Sequence, residues 1–332
     1  MRLKKKINDG INWLGSRLSE RNAVLLYHRV DRKEHDHFNL CVTPENFEEQ
    51  MSVLAETGSV IPLSEMVEKR LSGQLETGEI SITFDDGYID VLENALPILE
   101  KYNLPATLFV TTGNLGQAFW WDTLAAIVRQ PETLPHQLSV ETVSGESVYI
   151  SILGRSRDSI FDALYQLLRT QQPAHRLNAL DSLRKAVCPE TDLVIPRAAT
   201  KKELTVASHS SSLFLEAHTV THSRLSALNY EDQLQEICES IDHVSRLSSR
   251  SVTSLSYPFG LKNRDYNDDT IRAVEASGLK HAFAADLGVV TPQSPAFAIP
   301  RIWAHNHPGS RFKRQMKLWL GQLPSSQLPL SA

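Results

Sequence analysis

Cysteine is scarce in this chain. Its 332 residues hold three, Cys41, Cys188 and Cys238, with no CxxC spacing among them. An odd, dispersed set builds neither a disulfide framework nor a cysteine zinc site. Long apolar runs are missing too: none reaches the ~18 residues that a membrane span needs. Nor does charge of one sign dominate. Lys and Arg number 34 against 39 Asp and Glu, a net of −5, so nothing global points to nucleic acid. Internal repeats and low-complexity segments are absent as well. What remains, 41% hydrophobic and 22% charged, is the make-up of one large α/β domain or two small ones.

The termini lack an apolar core of their own. Arg2-Leu3-Lys4-Lys5-Lys6 resembles the start of a signal peptide, but Asn8, Asp9, Asn12 and Arg17 interrupt the apolar stretch that such a peptide needs next. The expectation is therefore no signal peptide and a cytoplasmic location. Ile7, Ile11, Leu14 and Leu18 recur at helical spacing, which predicts a basic amphipathic helix over 1–20. A second is predicted within 306–332, where Phe312, Met316, Trp319 and Leu320 share a face ringed by Arg311, Lys313, Arg314 and Lys317. Such helices either cap a domain or lie on an anionic surface, here the inner membrane face.

The stretch Ile80-Ser81-Ile82-Thr83-Phe84-Asp85-Asp86-Gly87 organises the rest. Its apolar residues alternate, the period of a strand, and the strand ends in two carboxylates and a glycine. Neighbouring strand side chains point to opposite faces, so Asp85 and Asp86 can share a site only where the strand breaks. Gly87 permits that break. Around it the chain alternates strand and helix: Ala23–Tyr27, a helix opened by Thr43-Pro44, a helix at Leu63–Leu71, then Asp90–Tyr102 and Thr107–Thr111. The rhythm resumes at Leu213–Ala217, Glu231–Ser248, Ser254–Tyr257, Asp268–Ser277, Lys280–Ala284 and Ala296–Ile302. It implies a parallel sheet, closed or open. Residues 119–212 interrupt the rhythm with helices and a β-hairpin flanking Ser144-Gly145-Glu146, and read as an insertion within a main domain over 21–305. Trp120 and Trp121 in it suit a sugar-stacking platform and a core equally well. Asp122 suits a helix cap or a substrate contact.

His218-Thr219-Val220-Thr221-His222 sets two imidazoles at i and i+4. On a helical turn they face the same way, a spacing that suits one metal ion. His218 comes just after a strand end, as Asp86 does, and strand C-termini of a parallel α/β fold gather at one face. Two histidines and a carboxylate, with open positions for water, form a catalytic metal set.

These residues resemble the polysaccharide deacetylases related to the nodulation protein B chitooligosaccharide deacetylase. Thr83-Phe84-Asp85-Asp86-Gly87 is similar to that family's first motif, and His218-Thr219-Val220-Thr221-His222 to its second. Tyr27-His28-Arg29-Val30 resembles the opening segment of one bacterial branch. The resemblance, over roughly Val24 to Arg301, implies an α/β fold, a distorted (β/α)₇ barrel, and removal of N-acetyl groups from amino sugars of a glycan with a divalent metal, Zn²⁺ foremost. It further implies Asp85 as base and Asp86, His218 and His222 as ligands. The third motif, Arg-x-Pro-Tyr, is altered here to Ser256-Tyr257-Pro258-Phe259. Pro258 and Phe259 keep the backbone that would hold an oxyanion, while the arginine is missing and Arg301 could replace its charge. His28 is the implied general acid, ahead of His305 and His307, and Tyr88 is expected to line the site because it is next to Gly87. Two alternatives stay open: hydrolysis of another amide, such as a lipid-linked formamide or a cyclic amide, and a non-catalytic glycan-binding relative.

Overall fold

The computed structural model describes residues 21–32, 36–142, 145–188 and 192–322. The basic helix predicted for 1–20 and the tail beyond 322 lie outside the described residues. Seven parallel strands close into a barrel. They are β1 (Ala23–Tyr27), β2 (Ile80–Phe84), β3 (Ala106–Val110), β4 (Leu213–Ala217), β5 (Ser254–Ser256), β6 (His281–Leu287) and β7 (Ile299–Trp303). Each pairs with its neighbour in sequence, and β7 closes on β1 through Leu25 and Ile302. β1, β2 and β3 are buried along their whole length: β1 and β3 read as nearly continuous apolar runs, while in β2 the Ser81 and Thr83 hydroxyls are satisfied by the carbonyls of Ile61 and Leu25.

The barrel is distorted in two places. β4 and β5 share the single register pair Ala217–Leu255. Phe283 of β6 faces Ile299 of β7, yet Leu287 faces Arg301, so β6 bulges. Inside, Phe109 and Phe283 meet with centroids 5.6 Å apart, and the Arg301 guanidinium sits 5.7 Å from the Phe109 ring. The lumen is thus packed below and polar above.

The helices obey the local rules. In α1 (Pro44–Thr57), Thr43 accepts a bond from the Asn46 amide and Gly58 ends the helix in a left-handed turn. α2 is Leu63–Ser72. The regular helix expected from Asp90 starts as a π-turn, Val91–Ala95, before α3 (Leu96–Lys101). Pro97 has no N–H to give and its ring crowds the carbonyl one turn back, so the chain widens there.

The chain divides into two compact units, the second being Asn114–Thr200. It holds α4 (Trp120–Arg129), a hairpin of Gln137–Glu141 with Ser147–Ser151, α5 (Arg157–Leu168) and α6 (Pro173–Val187). Both tryptophans are core residues of this unit. Trp120 stacks on Tyr165 at 5.0 Å beneath the Arg176 guanidinium, and Trp121 stacks on Phe119 at 4.7 Å. Asp122 is buried in the first turn of α4.

The barrel unit continues with α7 (Lys201–Ala207), α8 (Tyr230–Ser248), α9 (Asp268–Ala276) and α10 (Gly309–Trp319). α10 packs against α1, burying Phe312 and Met316, and Lys313 pairs with Glu56 at 2.7 Å. Of the apolar face predicted for this helix, Phe312, Met316 and Leu320 are buried by the domain, and Trp319 stays partly open. Among the described residues no helix is long and apolar enough to cross a membrane.

Candidate active site

The C-terminal ends of β1, β2, β4, β5 and β7 converge on one buried polar cluster. β2 delivers Phe84 to the core and then stops. Asp86 takes a left-handed φ of 74° and Gly87 one of 96°. That break turns both carboxylates, each 3% exposed, to the same side. The strand thus ends at the acidic pair, with Gly87 as the hinge that the pair requires.

His218 and His222 meet by a different route from the one expected. The segment after β4 is an irregular loop and no helical turn. Thr219 and His222 have φ values of 62° and 52°. Left-handed backbone is rare outside glycine, and for β-branched Thr219 it is a true outlier. Three anchors hold it. Thr112 N–H donates to the Thr219 carbonyl at 3.1 Å and Gly113 N–H to the Val220 carbonyl at 2.7 Å. A Cβ on Gly113 would lie 2.5 Å from that same carbonyl oxygen, so the approach requires glycine. Glu236 of α8 supplies the third: its carboxylate accepts from Val220 N–H, Thr221 N–H (2.9 Å each) and the Thr221 hydroxyl (2.6 Å).

With the loop so held, Asp86 Oδ1 lies 3.5 Å from His218 Nε2 and 3.2 Å from His222 Nε2. One ligand atom from each of the three residues lies within 4.8 Å of the others, all buried. His218 Nδ1 is 2.7 Å from the Ser256 carbonyl. A carbonyl only accepts, so Nδ1 carries the proton and Nε2 is the atom left available to a cation. Burial alone would raise the Asp86 pKa; hydrogen bonds from the His218 and His222 rings in their protonated form outweigh it and hold the carboxyl far below its usual range. The donor set, two imidazole nitrogens and a carboxylate in a dry pocket, fits a divalent cation.

Asp85 has a separate set of partners. Arg301, itself fully buried on β7, grips it with both terminal nitrogens at 2.8 and 2.6 Å. The Ser256 hydroxyl donates to Asp85 at 2.9 Å and accepts from Arg301 at 2.7 Å. Arg301 Nε donates to the Ala284 carbonyl at 2.9 Å. Burial pushes the Asp85 pKa up, and Arg301 with the nearby imidazoles more than reverses this, leaving it below the ordinary value. The charge missing from the third motif is thus present, delivered from another strand. Ser256 is the hub of the arrangement: its hydroxyl binds Asp85 and its carbonyl binds His218.

His28, at the end of β1, lies where the Asp86 and Asp85 carboxylates act on it, and burial holds its pKa below that of a free imidazole. Its ring is 5.4 Å from that of Trp303. The charge acting on His305 is that of Arg311 instead. Phe259 keeps a left-handed φ of 60° and sets its ring edge-on to His222 at 4.8 Å. Pro258 is buried and its carbonyl accepts from Gly260 N–H at 2.7 Å. Tyr88 departs from expectation. It is fully buried with the Arg29 guanidinium 4.4 Å over its ring, and Arg29 in turn binds Asp90 at 2.7 Å. That pair ties the end of β1 to the segment after Gly87, a packing role.

The sequence model of the polysaccharide deacetylase family matches residues 72–146 and 159–282. The chain belongs to this family. Among similar sequences is a poly-beta-1,6-N-acetyl-D-glucosamine N-deacetylase of Staphylococcus epidermidis, 24% identical over 319 residues, covering 91% of this chain and 85% of the relative. Its Staphylococcus aureus namesake is 22% identical over 284 residues, covering 85% and 73%. Among solved structures, the Streptococcus pyogenes deacetylase PplD in complex with acetate superposes with a TM-score of 0.59 at 17% identity, covering 89% of this chain and 98% of that one. IcaB from Ammonifex degensii gives 0.57 at 16% identity, covering 91% and 97%. These structures share the barrel. The family match excludes both ends of the barrel, so His28 and Arg301 are brought to the site by the closure of β7 on β1 and not by the matched motifs.

Proposed function

We propose that this family member removes acetyl groups from N-acetylated amino sugars of a polysaccharide, a poly-β-1,6-N-acetylglucosamine foremost, with a divalent ion, Zn²⁺ first among candidates, held by Asp86, His218 and His222. One observation carries the reading: a carboxylate clamped by a buried arginine lies beside a buried imidazole–imidazole–carboxylate donor set. A surface glycan-binding protein has no need to bury such a cluster. The Arg301 clamp also removes the missing motif arginine as a reason for a non-catalytic reading.

An unactivated amide is a poor electrophile. A divalent ion in this donor set supplies a Lewis acid and lowers the pKa of water. The chain's residues do the rest. Asp85, kept ionised by Arg301, takes a proton from the attacking water. The water oxygen bonds to the acetyl carbon and the carbon–nitrogen bond breaks. His28 protonates the leaving nitrogen, so acetate and a sugar amine depart. The Phe259 N–H, placed by Pro258 before it, is the backbone donor for the oxyanion. Acetate release from β-1,6-linked N-acetylglucosamine oligomers, measured before and after chelation and after adding back Zn²⁺, tests the whole reading. No acetate from any oligomer with a fully loaded site would refute it.

Two narrower outcomes are expected of variants. Glu236→Ala removes the carboxylate that fixes three donors of the histidine loop. Metal binding is expected to weaken about 10- to 100-fold, read by competition with a chelator, while kcat at saturating metal stays near wild type. His28→Ala is expected to lower kcat about 10²-fold. Burial already holds the His28 pKa below that of a free imidazole, so the protonated acid is lost early as pH rises. The alkaline limb of the wild-type profile should accordingly flatten in this variant.

A further inference from the structure

We infer that the groove between the rim of β6 and β7 and helix α10 binds the sugar residues that flank the one being deacetylated. The inference rests on the deacetylase reading and adds where the rest of the glycan chain lies. The groove encloses about 800 Å³, high in the ~300–1,000 Å³ range of drug-sized ligand sites, which leaves room for more than one sugar ring.

It opens beside the candidate active site, the link being Trp303. Trp303 lines it and stands two residues beyond Arg301, so both lie on the same face of β7. The Trp303 ring is 5.4 Å from His28, and its indole N–H donates to the Ala285 carbonyl at 3.3 Å. Leu261, also in the lining, comes two residues after Phe259. A glycan whose acetamide sits by Asp85 and His28 therefore has its next ring over Trp303.

The chemistry of the lining suits a neutral sugar chain. Trp303, Trp319, Leu261 and Leu287 provide an apolar floor, with His307 and Arg311 along the edge. A pyranose has the same division: apolar C–H faces that pack on indole rings, and a hydroxyl and acetamide edge that takes hydrogen bonds. Burial and Arg311 keep His305 and His307 below the ordinary imidazole pKa, so both meet the sugar as neutral rings. Leu287 is 74% exposed at the lip, although the first five residues of β6 are buried.

The wall is also fixed in advance of any ligand. The buried Gln50 amide donates to the carbonyls of His305 (3.0 Å) and His307 (2.7 Å) and accepts from Tyr27 of β1 at 2.8 Å. Between them the Asn306 side chain accepts from Thr43 N–H at 3.1 Å and from Asn46 at 2.6 Å. The loop bearing both histidines is thereby bonded to the barrel and to the start of α1, and a rigid site loses less entropy on binding.

The test uses β-1,6-linked N-acetylglucosamine dimer and pentamer with metal-loaded wild type, Trp319→Ala and Leu287→Lys. Wild type is expected to favour the pentamer in kcat/KM by about tenfold or more, and each variant to lose about tenfold on the pentamer while holding the dimer within a factor of two. Equal losses on both substrates, or an unchanged pentamer preference, overturn the groove. Binding measured by calorimetry in the Asp85→Asn background separates this from the activity itself. If the pentamer binds and Trp319→Ala or Leu287→Lys weakens it, the groove stands even where no acetate is released, and only the deacetylase reading falls. If the pentamer fails to bind, or binds all variants alike, the groove is wrong whatever the turnover.

Discussion

Asp85→Asn should abolish turnover, lowering kcat by about 10³-fold or more, with the metal still bound. The amide is nearly isosteric and cannot take a proton. Its one remaining oxygen still accepts from Arg301 or Ser256, so the local geometry changes little. Asp86, His218 and His222 are untouched, and the Ser256 carbonyl still fixes the His218 tautomer. The variant is not free of cost to the fold. Arg301 is fully buried and its bidentate partner loses its charge. Breaking a buried pair by neutralising one member costs about 3–5 kcal/mol. Kinetics and metal content should therefore be measured well below the variant's melting temperature. Metal content equal to wild type with lost acetate release is the expected pair of results. Turnover within tenfold of wild type would assign the base to another group.

Much of this site was legible because its chemistry is local in sequence. Asp85, Asp86 and Gly87 stand together, and the alternation before them fixes where the strand ends. His218 and His222 stand together, and their pairing was readable although its cause was not: a helical turn was the simplest way to bring i and i+4 together, and a strained loop does it instead. Nothing in the spacing marks Thr219 as left-handed, because that conformation is imposed by Thr112 and Gly113 from one segment and Glu236 from another. Ser256 read as an absence, the place where an arginine should be. Only closure of the barrel shows that its hydroxyl and Arg301 meet on one carboxylate. Trp303 had a signal that went unused: Ile299, Arg301 and Trp303 alternate on one face of β7, so a residue beside Arg301 points to the same mouth. Tyr88 misled because adjacency to Gly87 says nothing about direction once the backbone has turned.

Arg301→Met is expected to move both stability and the pH profile, and the sign is set by the group that holds Asp85 ionised. In the wild type, burial raises the Asp85 pKa and Arg301 more than cancels this. A carboxylate with a depressed folded pKa adds stability that is present above its unfolded value, about 3.9, and disappears as pH falls through the folded value. Without the guanidinium, burial dominates and the pKa rises above the ordinary range. The variant's carboxyl then favours the fold when protonated, and its contribution fades as pH climbs toward the new value. The stability gap between the two proteins should thus be widest at neutral and alkaline pH, about 3–5 kcal/mol, and shrink toward acid. The acid limb of kcat should move to higher pH in step, because more of Asp85 is protonated and unable to act as base. Arg301→Lys restores a charge without the two-pronged grip, so it should recover part of the stability and less of the rate. Thermal melts and kcat profiles over the same pH series check both. A destabilisation that is the same at every pH, with the acid limb unmoved, would mean that Arg301 packs the barrel and leaves the ionisation of Asp85 alone.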